Sequence, residues 1–176
     1  MQHPADALQT ATPALRLPSA KDGAAVWELV RSCRPLDENS MYCNVLQCDH
    51  FADTSVLAEI SGQAVGWISA YVMPNAPDTL FVWQVAVAEN ARGLGLGSLM
   101  LQTILDRPLC TNVSRLQTTI TAENEASWAL FRKFARQKGG ELDAVPHYTQ
   151  AHHFQDRHKT ENLVTIQFAD RITLAA

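Results

Sequence analysis

Arg92-Gly93-Leu94-Gly95-Leu96-Gly97 is the stretch whose residue types and spacing most directly imply chemistry. Glycine at every second position removes Cβ atoms, so the main chain can approach a ligand closely and adopt angles that other residues avoid. The turn leads from an almost continuously apolar run, Leu80 to Val87, into a helical pattern carrying Leu96, Leu99, Met100 and Ile104. The first N–H groups of a helix have no acceptor within it, and the helix dipole adds partial positive charge there. A strand, glycine turn and helix in that order, here Phe81 to Arg107, suit a pyrophosphate. Arg92 can add a formal charge to one phosphate. The spacing is G-x-G-x-G, unlike the G-x-G-x-x-G of dinucleotide-binding folds, and Gly97-Ser98 lacks the lysine of a P-loop. Taken alone, the turn fits an unliganded tight connection as well as it fits a phosphate site.

Other reactive side chains have ordinary readings beside the functional one. Asp37 follows Pro35 and precedes a helix start, a common position for a loop or capping carboxylate. Tyr42 falls one turn into that helix and suits a half-buried aromatic with a hydroxyl to donate. Trp83 stands two residues before Val85, so strand alternation puts both on one face. That face could line a pocket or pack in a core. Val85 and Val87 read as core strand residues, and only their backbone is available to chemistry. His147, His152, His153 and His158 lie in a polar stretch where exposed histidines are usual, and the adjacency of His152 and His153 gives no metal-ligand spacing. No metal is expected. Cys33, Cys43, Cys48 and Cys110 form no C-x-x-C pair, which favours reduced thiols over disulfides or zinc.

The elements that must position these groups follow from pattern. Leu15 to Leu17 alternates as a first strand. Lys21 to Arg31 has helical periodicity with Ser19 as a cap and Pro35 as its end, and Asn39-Ser40 opens a second helix with Met41, Val45 and Leu46 at helical spacing. Thr54 to Ile60 and Ala64 to Met73 read as strands joined at Ser61-Gly62. Pro74 to Asp78 has loop composition. Leu80 to Val87 is expected to be buried on both faces. The helix after the glycine turn ends at Pro108. Arg115 to Thr121 alternates as a strand, and Asn124 opens a helix with the stripe Ala126, Leu130, Phe131 and Phe134, ending at Gly139-Gly140. A poorly patterned stretch from His147 to His158 precedes a last strand, Asn162 to Phe168. The order β-α-α-β-β-β-α-β-α-(β)-β is that of a mixed central sheet flanked by helices, an α/β (α+β) fold.

The chain has 176 residues, 47% hydrophobic and 18% charged, with a net charge of −4. That is a globular balance with room for one sizeable core. A mildly acidic chain without a dense basic cluster is a poor partner for nucleic acid. No apolar run approaches the ~20 residues of a membrane-spanning helix. Met1 to Pro13 has neither the basic start nor the apolar core of a secretory leader and reads as a disordered lead-in, before a single domain over residues 14–170. A soluble, cytoplasmic protein with a small-molecule partner is expected.

Gln84-Val85-Ala86-Val87 followed by Arg92-Gly93-Leu94-Gly95-Leu96-Gly97 resembles the acetyl-CoA motif of the GNAT N-acetyltransferases. Asn124-x-x-Ser127-x-x-x-Phe131 falls where that superfamily has a CoA-contacting helix. The strings Arg34 to Cys43, His50 to Thr54 and Pro77 to Val87 resemble, more narrowly, the L-2,4-diaminobutyrate acetyltransferases of ectoine biosynthesis, over about Leu15 to Phe168. The resemblance implies the GNAT fold and acetyl transfer from acetyl-CoA to the γ-amine of diaminobutyrate, giving a precursor of the osmoprotectant ectoine. It also implies a homodimer. It assigns acetyl-CoA to Val85, Val87, Arg92, Gly93, Leu94, Gly95, Leu96, Gly97, Asn124 and Phe131, with the Val85 amide as an oxyanion donor. Asp37, Tyr42 and Trp83 would bind the amine substrate. A His-x-x-Glu pair, His158 and Glu161, would move its proton. Many GNAT enzymes have a tyrosine acid where this chain has Phe131, so the group protonating the thiolate stays open. An acetyltransferase for another small amine, or a CoA-binding module without catalysis, stays open as well.

Overall fold

The computed structural model describes residues 12–34 and 36–169. Most of the expected lead-in, Pro35 as a helix end, and residue 170 of the expected domain lie outside them. Seven strands are hydrogen-bonded in the order β1-β2-β3-β4-β5-β7-β6. They are β1 Ala14–Arg16, β2 Val56–Ile60, β3 Gln63–Met73, β4 Ala76–Val87, β5 Arg115–Thr121, β6 Glu141–Tyr148 and β7 Glu161–Gln167. The helices are α1 Gly23–Ser32, α2 Met41–His50, α3 Leu96–Leu105, α4 Glu125–Gln137 and the short α5 Gln150–Phe154. The chain groups into two compact units, with β3 and β4 running through both.

The first unit contains the described residues up to Ala70 together with Gln84–Leu109. β1, β2 and β3 are antiparallel, with Leu15 opposite Ala58 and Leu57 opposite Trp67. The β2–β3 hairpin turns on Ser61 and Gly62, both at positive φ, the geometry that suits the twist of the flanking strands. Trp67, Leu57 and Ala86 pack with Val26, Leu29, Val30 and Cys33 of the α1 segment and Cys48 of α2. Gly66, next to Trp67 and so on the other face, lets α3 close in: a Cβ there would meet Leu96 and Met100 at 3.0 Å. Where α1 meets α2 the fit is tighter still, since a Cβ on Gly23 would lie 2.7 Å from Val45 Cα.

The second unit contains Tyr71–Trp83 and the described residues from Cys110 onward. β4 and β5 are parallel over Thr79–Arg115, Leu80–Leu116 and Phe81–Gln117, although β4 continues to Val87 and β5 to Thr121. The start of that pairing is pinned by Arg115, whose Nη2 lies 2.8 Å from Asp78 Oδ2. β7 is antiparallel to both β5 and β6. α4 buries Phe131, Phe134 and Ala135, with Phe134 edge-on to Phe168 at 6.4 Å.

Several expectations need correction. Ala76, Pro77 and Asp78 belong to β4, so the loop before it is much shorter than the composition implied. Thr54 sits in a 3-10 turn ahead of β2. The buried side of α2 is Asn44, Gln47 and Cys48, not Met41, Val45 and Leu46. Leu99 and Ala126 are exposed, and Leu101 and Leu105 complete the α3 stripe instead. β4 is not buried on both faces. Leu80, Val82, Gln84 and Ala86 are buried, while Phe81, Val85 and Val87 are partly open and Trp83 is 46% exposed. An apolar strand face left open to this extent is available to a ligand.

Candidate active site

The cofactor turn lies in the first unit. β4 ends at Val87, a 3-10 turn covers Glu89–Ala91, and Arg92 is extended before the glycines. Gly93 and Gly95 both adopt positive φ, 79° and 75°, which L side chains rarely take. A Cβ at either would meet nothing within 4 Å, so backbone conformation and not crowding inside the chain demands glycine there. Gly95 is the N-cap of α3, and no side chain caps the helix. The first intrahelical bond runs from Leu99 N to Gly95 O. The N-terminus of α3 therefore combines an uncapped first turn with open space over the glycines, which fits the pyrophosphate of acetyl-CoA. Arg92 Nε donates to Val87 O at 3.2 Å, which anchors the arginine at the end of the cofactor strand. Cys33 Sγ donates to the same carbonyl at 3.3 Å.

The same unit holds Asp37 and Tyr42. Asp37 is exposed in the α1–α2 linker. Ser40 caps α2, accepting from Cys43 N at 3.1 Å, and this puts Tyr42 in the first turn, where it is 70% exposed rather than half-buried. Gln84, to which the sequence reading gave no role, has its side chain turned to this linker. Its Nε2 donates to Asp37 O at 3.0 Å and its Oε1 accepts from Asn39 Nδ2 at 3.3 Å. Trp27 Nε1 donates to Asn39 O at 3.1 Å. The available signal was one amide in an otherwise apolar strand, since a buried polar group needs partners.

Trp83, Asn124, Phe131, His158 and Glu161 lie in the second unit. Next to Trp83 along the open face of β4, Phe81 packs against Tyr71 with ring centroids 5.5 Å apart. Burial raises the Tyr71 hydroxyl pKa, and the nearby Tyr148 adds to this. Asn124 caps α4 through Oδ1, which accepts from Ser127 N at 3.1 Å. Phe131 is 1% exposed and is a core residue, so its ring supports α4 from inside. Glu161 opens β7, paired with Thr121 at the end of β5. His158 Nε2 stands 3.8 Å from Glu161 Oε1, and His158 Nδ1 lies 2.7 Å from Lys159 O. A groove of about 530 Å³ lined by Trp128, Arg132 and Asn162, among others, includes none of the expected site residues. Its lining also includes the carboxylate of Glu125. Among the described residues no group of three or more His, Cys, Asp or Glu could hold a metal, and no helix is long and apolar enough to cross a membrane.

A mixed sheet whose central strand leads through an open glycine turn into an uncapped helix defines the GNAT class of acyl-CoA N-acyltransferases. The family model for the acetyltransferase (GNAT) family matches residues 24–135. The L-2,4-diaminobutyric acid acetyltransferase of Methylotuvimicrobium alcaliphilum is 48% identical over 160 residues, covering 90% of this chain and 93% of that protein. The enzyme of the same name from Halomonas elongata is 44% identical over 86% of this chain and 79% of its own length. Among solved structures, diaminobutyrate acetyltransferase from Paenibacillus lautus, in complex with its substrate L-2,4-diaminobutyric acid and coenzyme A, is 40% identical with a TM-score of 0.85, covering 89% of this chain and 95% of that one. The chain belongs to the GNAT acetyltransferases, within the diaminobutyrate acetyltransferase family.

Proposed function

We propose that this chain transfers acetyl from acetyl-CoA to the γ-amino group of L-2,4-diaminobutyrate, the step that supplies N4-acetyl-diaminobutyrate for ectoine formation. The observation that carries the reading is the near full-length match to the Paenibacillus enzyme, whose solved structure is a complex with that amino acid and coenzyme A. The open glycine turn at the start of α3 supports the donor half. Bound acetyl-CoA supplies the activated thioester. Amides of the α3 first turn and Arg92 hold its phosphates, and the Val85 and Val87 backbone orients the thioester, with Val85 N–H donating to the developing oxyanion. Asp37 is assigned to an ammonium of the acceptor, Tyr42 to its carboxylate, and Trp83 to apolar contact with it. Glu161, supported by His158, takes the proton that the γ-amine must lose to become nucleophilic. Phe131 carries no hydroxyl, so this residue is not the acid for the thiolate. The protein acts in the cytoplasm as a homodimer.

The test follows free thiol as protein, acetyl-CoA and diaminobutyrate are mixed, with product identified by mass and sedimentation giving the oligomeric state. Thiol release with diaminobutyrate ahead of other amines is expected. Faster turnover of a different amine would replace the substrate, and tight CoA binding without turnover on any amine would replace the enzyme by a binding module.

A further inference from the structure

We infer that Gln84 is a positioning residue that fixes Asp37 against the cofactor strand and so sets which acceptor length the enzyme selects. On the buried face of β4, Leu80, Val82 and Ala86 are apolar, and Gln84 interrupts them at 9% exposure. Both ends of its amide are used on one short linker, by donation to the Asp37 carbonyl and acceptance from the Asn39 side chain. Asn39 is held from its other side by Trp27 of α1, and Cys33, where the linker begins, donates to Val87. The linker between α1 and α2 is thus tied to Gln84–Val87 near both of its ends. The Gln84 bond grips the main chain of Asp37 and not its carboxylate, so it governs where that carboxylate starts from.

The same four-residue stretch carries Val85 and Val87, the backbone donors that orient the thioester. The distance from ammonium anchor to acetyl carbon is therefore set through Gln84. A diamino acid one methylene shorter or longer would present its distal amine out of reach while the linker is held. This inference rests on the reading of Asp37 as the ammonium anchor.

The experiment compares kcat/KM for diaminobutyrate, diaminopropionate and ornithine in wild type, Gln84→Leu and Asp37→Asn, with the acetyl-CoA KM measured in each. One methylene is worth about 10- to 200-fold in a fitted site. Gln84→Leu should lose at least about tenfold of the preference for diaminobutyrate, with the acetyl-CoA KM within about twofold of wild type. A purely structural role would lower activity on all three amines together and leave their ratios intact. Unchanged ratios in folded Gln84→Leu, with altered ratios in Asp37→Asn, would overturn the role of Gln84 alone. Unchanged ratios in both would remove the Asp37 anchor and the inference with it. If Gln84→Leu does not fold, Trp27→Phe decides: it releases the Asn39 carbonyl while keeping an aromatic ring, and must shift the same ratio.

Discussion

His158 and Glu161 meet with Nε2 3.8 Å from Oε1, while the opposite ring nitrogen of His158 lies 2.7 Å from the Lys159 carbonyl. A carbonyl only accepts, so Nδ1 carries a proton and Nε2 is the atom that faces the carboxylate. At 3.8 Å the two are in ion-pair range but beyond a direct hydrogen bond. Glu161→Gln keeps the shape and removes the carboxylate proposed as the base, and kcat at saturating substrates should fall about 10²- to 10⁴-fold. His158→Gln should cost less, because it leaves the Glu161 carboxylate in place. Single-turnover rates of acetyl transfer measure both, and wild-type rates in Glu161→Gln would move the proton path elsewhere.

Gly95 is held at φ 75° as the N-cap of α3 with nothing near a would-be Cβ. Valine there would be strained by about 1–3 kcal/mol and would put methyl groups into the space assigned to phosphate. Gly95→Val should raise the acetyl-CoA KM at least about tenfold while leaving the diaminobutyrate KM nearly unchanged. Steady-state kinetics with each substrate varied in turn will read this. An unchanged acetyl-CoA KM would make the turn a structural connection only.

Arg16 joins two carboxylates of the first unit, bonding Asp22 at 2.7 Å and Glu59 at 2.7 Å. The Arg16 hydrogen bond, offset in part by burial, holds the Asp22 carboxyl down at about 2. The Glu59 carboxyl is lowered chiefly by the same guanidinium. Because these groups ionise more readily folded than unfolded, their contribution is present above about pH 4 and fades as pH falls towards about 2. Arg16 is partly exposed, so Arg16→Met should cost only about 1–2 kcal/mol at neutral pH. Urea melts across pH 2 to 7 should show the gap between variant and wild type closing in acid. A gap independent of pH would mean that Arg16 contributes by packing.

Gly23 sits where α1 crosses α2, and a Cβ would press on the Val45 backbone at 2.7 Å. Backbone cannot yield as a flexible side chain does. Gly23→Ala should therefore lower stability by about 1–3 kcal/mol despite the better helix propensity of alanine. Thermal unfolding will test this, and a gain in Tm would mean that α2 shifts freely.

The parts of the fold that could be read in advance are those where local pattern and packing agree. β5 falls on Arg115 to Thr121 as alternation implies, and Asn124 and Ser40 cap the helices they precede. The failures are cases of tertiary override. α2 buries Asn44 and Gln47, bonded to each other at 3.0 Å, so hydrophobicity pointed to the wrong face. β6 has no buried residue and owes its conformation to pairing with β7. Motif strings nominated Asp37, Tyr42, Trp83, His158 and Glu161 for the proposed site. Gln84 could not be given a role, because its meaning lies in bonds to residues 47 and 45 positions earlier in the chain.

β4 divides its labour residue by residue, with buried positions alternating with open ones from Leu80 to Val87. Divergence within the family can therefore rewrite the open positions, such as Trp83, without risking the core. New acceptor preferences would arise first there, at little cost in thermal stability. Gln84 stands on the buried side yet reaches the linker that carries Asp37, so on the reading proposed above a lineage that changes it must solve folding and specificity in one step, and such changes should be scarce where Asp37 is kept.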